Sequence, residues 1–143
     1  MNTSFNPLPP GYTHVQHTFE PVFDEHSRIL ILGSFPSVKS RKIQFYYGHP
    51  QNRFWKLMAQ LLDVPVPQSI DEKKTMLLTH GLALWDVIAS CDIKGSSDSS
   101  IKNAVPTDIS RILKAADIQT IIANGGTAFR LYGRYCEPVT RRP

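Results

Sequence analysis

The chain has 143 residues, a formal charge of +4 from 16 Lys and Arg against 12 Asp and Glu, and 41% hydrophobic residues, enough for one core and a single domain over residues 1–143. No apolar run approaches the roughly 18 residues that mark a membrane span, and no basic start feeds an apolar segment, so membrane and secreted classes are excluded and a cytoplasmic, nucleoid-associated setting is expected. The mild basicity is compatible with a polyanion partner. Cys91 and Cys136 lie far apart in no ligand-like pair, which reads as two buried free thiols rather than a disulfide or a zinc site.

In chain order, residues 1–11 carry Pro7, Pro9 and Pro10 and read as an extended arm. Residues 13–23 alternate polar and apolar side chains. His14, His17 and His26 fall close together without a Cys or acidic partner at ligand spacing, so they are expected as scattered surface histidines, with no metal and no cofactor. Residues 29–32, Ile-Leu-Ile-Leu, fit a strand buried on both faces, the mark of a parallel sheet. The following Gly33-Ser34-Phe35-Pro36-Ser37 then lies beyond the carboxyl end of that strand, where such sheets bind ligands. Gly33 allows close approach of backbone to ligand, and Pro36 stiffens the exit.

Lys39, Arg41 and Lys42 form a basic loop after this turn. Residues 52–62 place Phe54, Trp55, Leu57, Met58, Leu61 and Leu62 at the spacing of a helix with one buried face, with Pro50 able to open it. Ser69 with Asp71 and Glu72 predicts a capped helix running through Leu78 and stopping at Gly81. Residues 82–88, LALWDVI, read as a second buried strand in which Asp86 is out of place; it is expected to cap or pair inside the sheet and receives no catalytic role. Residues 95–100, GSSDSS, are a flexible loop, either filler or an approach to phosphates. A helix over 107–116, a β-branched strand over 118–123 and a helix over 126–135 complete the pattern. The expected fold is α/β, with helices on both faces of a short parallel sheet joined by right-handed crossovers.

The segments GSFPS and YYGHPQNRFW resemble the uracil-DNA glycosylase superfamily, specifically its hypoxanthine-DNA (deoxyinosine) glycosylase branch, close to the mismatch-specific uracil glycosylases. In the mismatch-specific enzymes a G-I-N-P-G segment precedes HPANRFW at a fixed interval, and Gly33 and His49 stand that same interval apart. ALWDVIASCDIKGSSDSSI and IIANGGTAFRLY also look like the hypoxanthine branch, so the resemblance covers most of residues 28–135. It implies a three-layer αβα fold, a monomer, no cofactor, and DNA containing deaminated bases as the partner. Phe35 departs from the family pattern, standing where the other branches carry Asn or Asp; the hypoxanthine branch shares this change, and the resemblance implies that Asn52 takes over the polar catalytic role. Tyr47 occupies the position of the family's stacking phenylalanine. The C-terminal Ser-Pro or His-Pro-Ser-Pro motif of the superfamily has no counterpart after Pro138, so the sheet is expected to lack its last strand; either the chain is truncated, or it has lost the motif and weak or absent activity is expected.

The chemistry of such a site follows independently. Breaking an N-glycosidic bond puts positive charge on the sugar and negative charge on the departing base, which calls for donors to the base and an oriented water at C1′. Backbone N–H groups around Ser34, Phe35 and Ser37 are candidate donors, Asn52 a holder of the water, and Tyr47 the ring that grips an extruded base. Lys39, Arg41 and Lys42 can neutralise phosphates. Rival roles stay open: Asn52 as a helix cap, His49 as a base contact or a loop hydrogen bond, the basic trio as an ordinary solvated loop, and Asp98 as a turn residue. At the level of function, the alternative to an enzyme is a non-catalytic nucleic-acid or nucleobase-binding module on the same fold, and a third reading is a small-molecule nucleosidase.

Overall fold

A computed structural model of the chain describes residues 8–137. The expected N-terminal arm is described only from Leu8, where a turn closes through Tyr12 N–H to the Pro9 carbonyl at 3.1 Å; residues 1–7, and the C-terminal segment expected to lack the last motif, lie outside the described residues.

The apolar run Ile29–Gly33 forms β2, and it is central. On one side it pairs in parallel with β3, Leu82–Asp86, and on the other with β6, Thr120–Ala123, giving the order β3-β2-β6. Leu30, Ile31 and Leu32 are all buried although they alternate between faces, so helices cover both sides of the sheet, which bears out the α/β layering read from the sequence. The chain leaves β2 through α1 (Val38–Ile43), α2 (Phe54–Leu62) and α3 (Ile70–Thr79), and α5 (Gly126–Leu131) follows β6. Ser69 caps α3 by accepting from Glu72 N–H at 3.1 Å, and the acids in its first turn face the positive end of the helix dipole.

A second sheet is absent from the sequence reading. β1 (Thr13–Gln16), β4 (Ile88–Ile93) and β5 (Lys102–Pro106) form an antiparallel layer in the order β1-β4-β5. The single strand expected over 82–88 is therefore two: the run breaks after Asp86, where Val87 N–H turns to the Gly33 carbonyl (2.8 Å) and Ile88 N–H to the Ser34 carbonyl (3.1 Å). Thr107 locks that junction, its hydroxyl donating to the Asp86 and Val87 carbonyls.

Further corrections concern local structure. The basic trio lies on α1 rather than in a loop; Ser37 caps this helix by accepting from Ser40 N–H, and Gln44 ends it in the left-handed region at φ 60°. A helix this short is invisible to periodicity because one turn and a half carries no repeat. Pro50 sits in the turn before α2 and does not open it, and Leu57 and Leu61, counted to its buried face, are 51% and 68% exposed. The helix expected over 107–116 is shorter, α4 spanning Ser110–Ala115. Beyond α5, Tyr132–Cys136 winds more loosely as a π-helical turn. Cys91 and Cys136 are buried free thiols, as expected, and burial pushes both up to about 11.

Candidate active site

Strand order reverses at β2, because β3 and β6 lie on opposite sides of it, and the crevice opens beyond its carboxyl end. Each of the three parallel strands delivers a polar or permissive residue there: Gly33 from β2, Asp86 from β3, and Asn124 immediately after β6, whose N–H bonds the Leu32 carbonyl at 2.8 Å. They line one cavity of about 180 Å³ together with Ser34, Phe35, Ser37, Tyr47 and Asn52. That volume is below the roughly 300 Å³ at which drug-sized sites begin and suits a single nucleobase.

The need for glycine at position 33 is steric. A Cβ there would collide with Asp86 Oδ1 and sit 3.1 Å from the Tyr47 hydroxyl. Tyr47 is held at φ 51°, its ring stacked on Phe54 with centroids 4.0 Å apart, and its hydroxyl accepts from Asn124 Nδ2 at 2.9 Å. Burial, reinforced by the charge of Asp86, holds its phenol well above the usual range, so Tyr47 keeps its proton and remains a donor. Tyr46 touches the cavity wall but is core, its hydroxyl donating to the Glu20 carbonyl at 2.9 Å while Trp55 Nε1 donates to the Tyr46 carbonyl.

Asn52 lies exposed at the cavity mouth, and its Oδ1 accepts from Phe54 N–H at 2.8 Å. The N-cap of α2 is Arg53, so this bond is a local turn one residue before the helix rather than the cap; it fixes the amide plane and leaves the second lone pair of Oδ1 available. Ser34, Phe35 and Ser37 line the cavity, and their backbone N–H groups have no hydrogen-bond acceptor among the described residues. His49 is exposed and outside the cavity wall, its Nδ1 accepting from Gln51 N–H at 3.1 Å.

Lys39 and Lys42 are exposed on α1, whereas Arg41 is half-buried and spans two loops, with Nε on the Ser37 carbonyl and Nη2 on the Gly95 carbonyl at 2.7 Å. Burial lowers the Arg41 pKa from its usual value. Residues 95–100 are docked rather than loose: Ser96 Oγ accepts from Val38 N–H, Asp98 Oδ1 accepts from Ser34 Oγ at 2.9 Å, and Asp98–Ser100 forms a 3₁₀ turn. Asp98 thereby joins the cavity wall.

The histidines do not share one fate. His26 is exposed as expected, His14 bonds Asp92 across β1 and β4 at 2.8 Å, but His17 is buried, contrary to expectation, with Nε2 2.8 Å from Asp86 Oδ2 and side-chain exposures of only 4% and 5%. Asp86 and Asn124 line the cavity without having been given a site role from the sequence, and His17 stands behind Asp86. The available signal was Asp86 itself, a lone acid inside an apolar run, since a buried carboxylate requires a partner.

Comparison with known proteins agrees with this geometry. The uracil DNA glycosylase superfamily matches residues 20–141. A protein of Methanosarcina acetivorans named hypoxanthine DNA glycosylase is 36% identical over 128 residues, covering 89% of this chain and 78% of the relative, and one of the same name from Methanosarcina barkeri is 36% identical over 127 residues, covering 86% and 76%. The solution NMR structure of a Methanosarcina acetivorans protein provisionally named a uracil DNA glycosylase superposes with a TM-score of 0.70 at 35% identity, over 86% of this chain and 74% of that one. With the fold, the motif spacing and relatives of this similarity in agreement, the chain belongs to the uracil DNA glycosylase superfamily.

Proposed function

We propose that the chain is a monofunctional DNA glycosylase that hydrolyses the N-glycosidic bond of a flipped deaminated base, hypoxanthine first and uracil second, and leaves an abasic site in DNA. The observation that carries this reading is the single base-sized cavity in which the Gly33 turn, Tyr47 and Asn52 meet. Its family membership and the hypoxanthine DNA glycosylase names of its relatives support the same substrate class.

The base enters edge first, with Tyr47 and Phe35 as walls and Asp86 at the buried end. Asn52 at the mouth holds a water through the free lone pair of Oδ1, on the side where C1′ must lie. An amide is too weak a base to deprotonate that water early, which suits a dissociative reaction in which the sugar cation forms before the water adds. The unpaired N–H groups of Ser34, Phe35 and Ser37 stabilise the charge that develops on the departing base. Lys39 and Lys42, with what remains free of Arg41, meet the phosphates and make binding fall with salt.

Incubation with a labelled duplex carrying one deoxyinosine, followed by alkali, tests the proposal. Strand breakage at the deoxyinosine is expected. Salt-dependent binding of the same duplex without breakage would leave a binding module, and release from free deoxyinosine alone would make the chain a nucleosidase.

A further inference from the structure

The excursion between β4 and β5, residues 94–101, is held against the Gly33 turn and α1 by three bonds that reach across the sequence. Ser34 Oγ donates to Asp98 Oδ1 at 2.9 Å, Val38 N–H to Ser96 Oγ at 2.9 Å, and Arg41 Nη2 to the Gly95 carbonyl at 2.7 Å. Within the excursion Ser100 Oγ donates to the Ser97 carbonyl and accepts from Lys94 N–H, and Ile101 N–H closes onto the Asp98 carbonyl. An ordinary solvated turn needs none of the three long-range anchors. Their combined effect is to fix one carboxylate on the cavity wall, exposed and therefore at the open end. Oδ1 of Asp98 is engaged by Ser34, whereas Oδ2 takes no hydrogen bond, and neither oxygen an ion pair, among the described residues.

For binding alone this charge is badly placed. A surface that receives phosphates is weakened by an unpaired anion at its centre, and α1 beside it presents Lys39 and Lys42 to attract them. The breaking of the glycosidic bond supplies a reason to keep it. In that transition state the positive charge lies on the sugar, toward the mouth, and the negative charge on the base, toward the interior. Asp86 is buried at the inner end and bonded to His17, so it is remote from the sugar. Phe35 is apolar and Asn52 uncharged, which leaves Asp98 as the one described lining residue at the sugar end able to offset the cation.

We infer that Asp98 is a second catalytic residue that divides the work with Asn52: Asn52 Oδ1 orients the water, while Asp98 Oδ2 faces the sugar cation and takes the proton of the water as it adds. This rests on the glycosylase reading and deepens it. As the C1′–N bond breaks, its electron pair leaves with the base; the water oxygen then bonds C1′, one water proton passes to Asp98, and the departed base takes up a proton from solvent. Because the water adds to a cation already formed, it grows acidic as the new bond forms, and a carboxylate suffices to receive its proton. Ser34 is a positioning residue, since its hydroxyl holds Oδ1 and leaves Oδ2 as the free oxygen.

Single-turnover release of hypoxanthine from a deoxyinosine duplex, measured beside equilibrium binding of the same duplex, tests this with Asp98→Asn. That change keeps the shape of the side chain and an oxygen for Ser34, so the excursion stays docked. Turnover is expected to fall on the order of 100-fold. Binding should be no weaker, and on the order of 2- to 5-fold tighter at low salt, because a negative charge has left a surface that meets phosphates. The opposite signs separate chemistry from scaffolding, since a residue that only held the loop would weaken both when changed. Ser34→Ala should lower turnover part of the way and add little to Asp98→Asn, as both act through one carboxylate. An Asp98→Asn variant with parental turnover, or one whose loss of turnover is matched by a loss of binding, would overturn the inference and leave the glycosylase reading standing. A parent that releases no hypoxanthine from any duplex would remove both.

Discussion

The parallel sheet and the antiparallel layer share one continuous stretch, residues 82–93, which gives β3 to the first and β4 to the second, yet they treat their side chains in opposite ways. In β2 and β3 both faces are buried and almost every side chain is aliphatic or aromatic, so the strands are rigid rails whose chemistry appears only at their carboxyl ends. In β1, β4 and β5 polar residues run along the strands themselves: His14 and Asn103 both bond Asp92, and Val105 is 52% exposed. The difference teaches that the first sheet fixes where the cavity is, while the second supplies what lies behind it, since His17 follows β1 and reaches across to Asp86 at the end of β3.

The connection between the sheets is the most sensitive place to break. His17→Leu leaves Asp86 buried without its donor and is expected to destabilise the protein by about 3–5 kcal/mol, read as a shift in the midpoint of urea unfolding. A loss under about 1 kcal/mol would mean that water already reaches Asp86 and the layers are not coupled through it. Next in size, Leu30→Ala in the fully buried β2 is expected to cost about 2–5 kcal/mol, against about 0.5 kcal/mol or less for Val105→Ala on the open face of β5. Similar losses at the two positions would erase the distinction between rail and surface.

The smallest effect is one of pH. Hydrogen bonds from Asn103 and then His14 hold Asp92 below its ordinary value of 3.8 in the folded chain. A carboxyl lowered on folding contributes stability that is complete above the unfolded value and is lost as pH falls through the folded one, so acid sensitivity from this group belongs below about pH 4. Asn103→Ala should flatten the stability profile in that window while barely changing it at pH 7; an unchanged acid limb would deny Asp92 its part in holding β4 to β5.

How much of this was legible follows from the same contrast. β2 and β3 could be read because a parallel strand buried on both faces is written as an unbroken apolar run, the edge strand β6, whose Ile122 is 46% exposed, because its residues are β-branched, and the Gly33 turn because a ligand crevice needs its backbone exposed. α3 announced itself through Ser69. The antiparallel layer stayed hidden because Lys102–Pro106 carries Lys, Asn and Pro, held as a strand by its pairing with β4 rather than by propensity. Position 87 gave no turn signal, since the break there is made by hydrogen bonds to the Gly33 and Ser34 carbonyls and from the Thr107 hydroxyl, all distant in sequence. For the site, Asn52, Tyr47 and Gly33 were visible through motif spacing, but Asp86 and His17 stand 69 positions apart and become one unit only in three dimensions.

The central claim is that Asn52 acts on the water and not on the grip. Single-turnover release of hypoxanthine from a deoxyinosine duplex by Asn52→Ala, measured beside binding of the same duplex, tests it most directly. The account predicts a fall in turnover of at least about 100-fold with binding nearly unchanged; turnover equal to the parent, or a fall fully explained by weaker binding, would contradict it.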